Sequence, residues 1–216
     1  MRFIDLTHPV AAGMPVFPGD PEVRLFPAAS VEKEGFRVTG IALGTHAGTH
    51  ADAPAHVFAD GKPLSAFPLS AFSGSALVIP CEDLPPGGLI TMERIEAAGE
   101  SAREAEFLLF RTGWERFWGH ADYFRGYPVI SEEVARWIAA SGKKGAGFDA
   151  PGIDPEEDAG LALHRIVLGT GRTVIIENLA NLAAPGIDSG LFAFRAAPLA
   201  LAGTDGAPVR AWAELP

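Results

Sequence analysis

Apolar and polar positions alternate along this chain at two periods, and the dominant period changes about a third of the way in. Residues 2–6 read as a short strand, and residues 22–27 and 36–43 alternate with enough β-branched and aromatic side chains to be strands too. Residues 76–79 form a continuous apolar run, the mark of a strand buried on both faces. Beyond that point helical spacing joins in. Residues 91–99 predict a short helix with Thr91 as cap and Glu93 in its first turn, and residues 106–111 a strand ending at Thr112-Gly113-Trp114. Residues 131–140 predict an amphipathic helix that is capped by Ser131 and closes on Gly142. A brief strand at 145–148 leads into a loop at 149–154. The pattern then predicts a helix over 156–168 and strands over 173–176, 197–202 and 208–213.

Between these elements the chain is punctuated by turn chemistry. The loop at 13–21 contains Pro15, Pro18 and Pro21, which forbid a helix and pre-set an extended path. Phe17 in that loop is either a pocket wall or an aromatic shielding the loop. Asp60-Gly61-Lys62-Pro63 is a turn signal. With strands first and then strands alternating with helices, the fold class is α/β with a mixed sheet. No repeat, low-complexity tract or flexible linker divides the sequence, so residues 1–216 form a single domain.

Composition narrows the function. At 48% hydrophobic and 20% charged residues the chain is that of a globular protein, and its net charge of −10 excludes a nucleic-acid partner, whose phosphates require a basic surface. Cys81 is the one cysteine, which rules out an intrachain disulfide and a Cys-rich zinc site; it reads as a small buried residue at a strand end. Neither a signal peptide nor a membrane-spanning run is visible. The expectation is a soluble, cytoplasmic protein without a membrane partner.

The chemistry concentrates in one stretch. Half of the six histidines lie within Thr45-His46-Ala47-Gly48-Thr49-His50-Ala51-Asp52-Ala53-Pro54-Ala55-His56, among small residues that do not screen the imidazoles. Imidazole and carboxylate suit zinc, and also manganese or iron. His46, His50 and Asp52 are close enough for a loop or one helical turn to bring them to a point, so they are read as holding a divalent metal with His56 working beside it. The spacing is not that of the helical zincin motif, since Ala47 stands where that motif has glutamate.

A second constellation joins His164 to Glu177. Glu177 ends an apolar strand, where a carboxylate must be paired or metal-bound, and His164 lies on the helix that packs beside it. A ligand role and a capping or salt-bridge role are both open for this pair. Trp137 has the helical spacing of a packing residue. His8 follows a strand within reach of the pocket, and His120 reads as an exposed loop residue.

The run from His46 to His56 resembles the signature of the cyclase family of metal-dependent hydrolases, which includes bacterial kynurenine formamidases and isatin hydrolases. Ile4-Asp5-Leu6-Thr7-His8-Pro9, Met14-Pro15-Val16-Phe17-Pro18-Gly19-Asp20, Arg111-Thr112-Gly113-Trp114 and Ile176-Glu177-Asn178-Leu179 are similar to the family's pattern, in the same order. The resemblance implies a swivelling β/β/α fold and a homodimer or homotetramer. It implies one or two zinc ions held by His46, His50, Asp52, His164 and Glu177, or one ion, often manganese, on the first three. It also implies His56 as general acid/base. The chain departs from the pattern at Val57-Phe58 and at Pro151-Gly152-Ile153-Asp154, positions expected at the pocket that selects substrate.

The resulting expectation is a metal-dependent hydrolase cleaving the C–N bond of a small aromatic amide, such as the aryl formamide N-formylkynurenine of tryptophan catabolism. A bound divalent ion would bring the pKa of water into the neutral range, and His56 would shuttle a proton to the leaving nitrogen. Lactam opening of the isatin type, ring closure or dehydration on the same site, and a non-catalytic closed metal site with His56 as a ligand are the alternatives.

Overall fold

The computed structural model describes residues 1–215. Among these residues twelve strands and five α-helices follow one another as β1 (Arg2–Asp5), β2 (Arg24–Ala29), α1 (Val31–Glu34), β3 (Val38–Ala42), β4 (His50–Asp52), β5 (Ser73–Pro80), β6 (Leu89–Ile90), α2 (Met92–Ala97), α3 (Gly99–Glu104), β7 (Phe107–Arg111), β8 (Val129–Ile130), α4 (Glu132–Ala140), β9 (Gly145–Phe148), α5 (Ala162–Leu168), β10 (Val174–Glu177), β11 (Phe192–Pro198) and β12 (Gly206–Leu215). Eight of the strands form one sheet in the order β1-β12-β11-β5-β7-β9-β10-β4. Strands β5, β7, β9 and β10 are mutually parallel, whereas β11, β12, β4 and β1 pair antiparallel. The sheet is therefore mixed, as the alternation of strand and helix predicts.

One strand closes it. β12 pairs with β11 from Val209 to Glu214, and its first residues, Gly206 to Pro208, also pair with Asp52 to His50 of β4. Since β4 pairs in turn with β10, the sheet meets itself and becomes a barrel with β1 flanking β12.

The apolar runs of the parallel strands have the expected cause. On β7, Phe107 and Leu109 face a core shared with Ile176 and Phe194, while Leu108 and Phe110 face a second core shared with Ile95, Val134, Ile138 and Val167 of the helices. Successive side chains point to opposite faces, so a strand covered on both sides reads as unbroken hydrophobicity. Burying each such side chain stabilises the fold by about 1.5–3 kcal/mol.

Several boundaries differ from the sequence reading. The helix expected over 156–168 is confined to Ala162–Leu168. Asp158 competes with it, its carboxylate accepting from the Gly160 and Ala162 backbone N–H groups, and Leu161 adopts a left-handed φ of 51°. The strand expected over 197–202 is instead Phe192–Pro198, and residues beyond it turn through Gly203 at φ 71°. The alternation of Phe192, Phe194 and Ala196 inward with Ala193, Arg195 and Ala197 on the other face carries that strand. Of the three residues expected to meet on a loop or one helical turn, His46 lies in a turn, but His50 and Asp52 belong to β4. Helix α4 matches closely, with the Ser131 side chain accepting from the Val134 N–H.

Candidate functional site

The short strand β4 lies between β10 and β12, in register with Glu177 opposite His50 and Ile175 opposite Asp52. Because alternate residues share a face, His50 and Asp52 project to the same side, where Glu177 at the end of β10 also points. The preceding turn folds His46 back onto the same spot: its Nδ1 lies 2.7 Å from Asp52 Oδ1. Gly206 makes room for that ring, since a Cβ there would stand 2.8 Å from His46 Cε1. Helix α5 delivers His164 from the far side, its Nε2 3.1 Å from Glu177 Oε1 and 3.7 Å from Asp52 Oδ2. His50 Nε2 completes the ring of contacts, 3.3 Å from Asp52 Oδ1 and 3.4 Å from Glu177 Oε2.

Each of these three histidines turns its other nitrogen outward to an acceptor. His46 Nε2 meets Asp205 Oδ2 at 2.8 Å, His50 Nδ1 meets the Gly48 carbonyl at 2.7 Å, and His164 Nδ1 meets Asp154 Oδ2. Such outer acceptors fix the tautomer and aim the inner nitrogen. Asp154 also accepts from the Leu163 and His164 backbone N–H groups, capping the helix that carries the ring. Gly48 sits at φ 68° and is tied by the Asn178 Nδ2 group, which donates to its carbonyl at 2.9 Å.

The electrostatics are those of a crowded buried cluster. Burial alone would push His50 down, but Asp52 and Glu177 beside it raise it to about 10. Burial is likewise overcome at His164 by Asp154, Asp52 and Glu177, which raise it well above the ordinary imidazole value. Burial opposes ionisation of Asp52 as well, yet His50 and His46 hold it well below the carboxylate range. His56, by contrast, is lowered by burial.

Asp52 Oδ2 is buried and has no hydrogen-bond partner among the described residues. Among the described residues, the ligand atoms of His46, His50 and Asp52 lie within 4.8 Å of one another, as do those of Asp52, His164 and Glu177 and those of His46, His56 and Asp205. Two fully buried carboxylates facing three imidazoles, with one oxygen left unpaired, suit a divalent cation. The donor set of nitrogen and oxygen is the type that zinc and manganese accept.

A cavity of about 390 Å³ opens onto this cluster. Phe17, Trp118, Phe124 and Tyr127 wall it, Pro151 and Gly152 line it, and Asp20, Glu156 and Asp158 also border it. Among the described residues neither lysine nor arginine lines it. His56 borders the cavity beside the cluster, its ring centred 4.1 Å from that of His46.

The model of the Cyclase family matches residues 4–155. The chain belongs to the Cyclase family. It is 32% identical to the kynurenine formamidase of Salinibacter ruber, over 98% of this chain and 96% of that protein. Isatin hydrolase A of Labrenzia aggregata superposes with a TM-score of 0.84 at 26% identity, covering 98% of this chain and 93% of that one. A predicted metal-dependent hydrolase from Bacillus stearothermophilus gives a TM-score of 0.77 at 27% identity, covering 98% and 97%. The α/β barrel with its mixed sheet is the fold of these family structures.

Within this family fold, His46, His50, Asp52, His164 and Glu177 come together and His56 stands at their edge, so the six residues singled out in the sequence share one place. Phe17 is a cavity wall, and Trp118 is another, with His8 stacked behind it at 4.0 Å. Trp114 is buried and donates its Nε1–H to the Tyr123 carbonyl, Trp137 packs on the helical core, and His120 is exposed. Val57 and Phe58 are not pocket residues. Val57 is buried in the helical core, and the Arg165 guanidinium lies over the Phe58 ring. Asp205 escaped the sequence reading, whereas Asp154 and Asn178 entered it only within family-like stretches and without a role of their own. Asp205 meets His46 across 159 positions, and an aspartate before a glycine looks locally like any turn.

Proposed function

We propose that this chain is a metal-dependent hydrolase of the C–N bond of a small aromatic amide, an aryl formamide of the N-formylkynurenine type. In this reading His46, His50, Asp52, His164 and Glu177 hold one or two zinc ions and His56 is the acid/base. The observation that carries it is the placement of Asp52. Its Oδ1 faces His46 and His50, while its unpaired Oδ2 faces His164. One carboxylate thereby serves both groups of ligand atoms.

When bound, zinc supplies Lewis acidity toward the carbonyl oxygen and makes water acidic enough to ionise near neutral pH. The protein's part is orientation and proton movement. The outward acceptors Asp205, Gly48 and Asp154 keep one nitrogen of each histidine aimed at the centre. His56, lowered by burial, stands as a free base at neutral pH beside that centre, ready to take a proton and return it to the leaving nitrogen. The aromatic walls exclude water around an aryl group, and the cavity has the volume of a small-molecule site. An open cavity over the cluster also speaks for turnover rather than for a closed binding site.

Opening of an isatin-type lactam is the second reading, supported by the likeness to isatin hydrolase A. A homodimer or homotetramer belongs to the proposal, and exposed Phe26, Phe36 and Ile41 around β2 and β3 supply apolar surface for it. Elemental analysis of purified protein, with N-formylkynurenine and isatin turnover on the same sample, tests the reading. Zinc with formamide cleavage supports it. Manganese with isatin opening moves it to the second reading, and no metal after reconstitution overturns both.

A further inference from the structure

Asp205 is the residue in which the two halves of the site meet. Its Oδ2 stands 2.8 Å from His46 Nε2 and 3.7 Å from His56 Nδ1, so one oxygen faces two rings whose centroids are 4.1 Å apart. Its other oxygen accepts from the Thr45 hydroxyl at 3.0 Å, and its backbone carbonyl accepts from the Ala53 N–H at 2.8 Å. The carboxylate is thus anchored from the turn that carries His46, and the backbone of the same residue from the end of β4. It is not a spare surface charge.

Geometry assigns the consequence. An imidazole whose Nε2 gives its proton to Asp205 has Nδ1 left for the centre, and His46 Nδ1 is the nitrogen that lies against Asp52. A ring whose Nδ1 faces Asp205 has Nε2 left for a substrate, and His56 borders the cavity. We propose that Asp205 is a positioning residue for both rings, orienting His46 toward the ion and His56 toward the substrate. This rests on the hydrolase reading for the second ring but not for the first.

The experiment uses the full chain carrying Asp205→Ala or Asp205→Asn, each alone and combined with His56→Ala. Zinc affinity is read by competition with a chromophoric chelator, and kcat and KM on N-formylkynurenine are read at saturating zinc. Asp205→Ala is expected to weaken zinc about 10–100-fold, the usual cost of losing an outer acceptor. It should also lower kcat by a similar factor with KM within about threefold, and Asp205→Asn, which keeps an acceptor oxygen, should recover part of both losses. In the His56→Ala background, Asp205→Ala should cost no further kcat at saturating zinc. Zinc affinity and kcat both within twofold of wild type in both single variants overturn the proposal. Full additivity with His56→Ala overturns the His56 half. If wild type cleaves no formamide, the hydrolase reading fails while the zinc measurement still decides the His46 half. If Asp205→Ala does not fold, Asp205→Asn carries the test.

Discussion

Glu177 and His50 face each other directly across the β10–β4 pair, and their side chains meet 3.4 Å apart below the protein surface. With Asp52 on the other side, the carboxylates hold His50 at about 10 against its burial. His164 is raised well above its ordinary value by its own carboxylate neighbours. Both rings therefore carry a proton at pH 7 in ion-free protein, and ligation of an ion requires that they lose it. Against its burial, His46 is raised as well by Asp52 and Asp205, so zinc binding at pH 7 is expected to release protons from the ligand histidines. Calorimetry in two buffers of different ionisation enthalpy reads this release, and a buffer-independent enthalpy would reject it. The sign for ion-free stability follows too. His50 contributes fully below pH 6.5, and that contribution is lost as pH rises through about 10.

His56→Ala separates ion binding from turnover. In the proposed site the variant keeps its zinc and its fold but loses about 10²–10⁴-fold in kcat. Loss of less than tenfold would remove His56 from the acid/base role.

His8 stacks on Trp118 with 6° between the ring planes, and burial lowers it to about 4. The unfolded chain takes up this proton near pH 6.5, whereas the folded chain refuses it until about pH 4. Stability from this group is present above pH 6.5 and is lost as pH falls toward 4. The buried Nε2 of His8 has no partner among the described residues, so His8→Phe keeps the stack and removes the titration. Urea unfolding at pH 7.5 and pH 5 should show the variant losing less stability on acidification than wild type; equal losses would reject the assignment.

Asn178 adopts a left-handed φ of 57°, donates from Nδ2 to the Gly48 carbonyl, and accepts from the Tyr123 hydroxyl at 2.7 Å. Asn178→Ala combines backbone strain with two lost hydrogen bonds and should cost about 2–4 kcal/mol. Asn178→Gly loses the bonds but not the backbone fit, so it should be milder by about 1 kcal/mol. Equilibrium unfolding of the two variants measures that difference, and an equal cost would place all of it in the side chain.

The parts of this molecule legible in its sequence are those written in short-range pattern. The His46–His56 run, the lone carboxylate ending the apolar strand at Glu177 and the capped helix α4 each declare themselves within a dozen residues. Asp205 did not, because its meaning lies in a contact with His46 made across 159 positions, and Asp154 did not because it caps a helix that begins eight residues further on, across an irregular loop. The helix expected from Glu156 failed for a local reason, the Asp158 carboxylate taking the backbone N–H groups of Gly160 and Ala162. Strand Phe192–Pro198 was misplaced because Ala and Arg are weak markers of the outward face.

The double pairing of β12 also dates the site within the life of a polypeptide. This strand is the last of the eight to leave the ribosome, and before it appears β4 has no neighbour on one side, while Asp205 arrives only just ahead of it. His46 has then been synthesised long before the carboxylate that its Nε2 faces. The proposed ion site is therefore complete only once a residue 159 positions beyond His46 has folded back onto it.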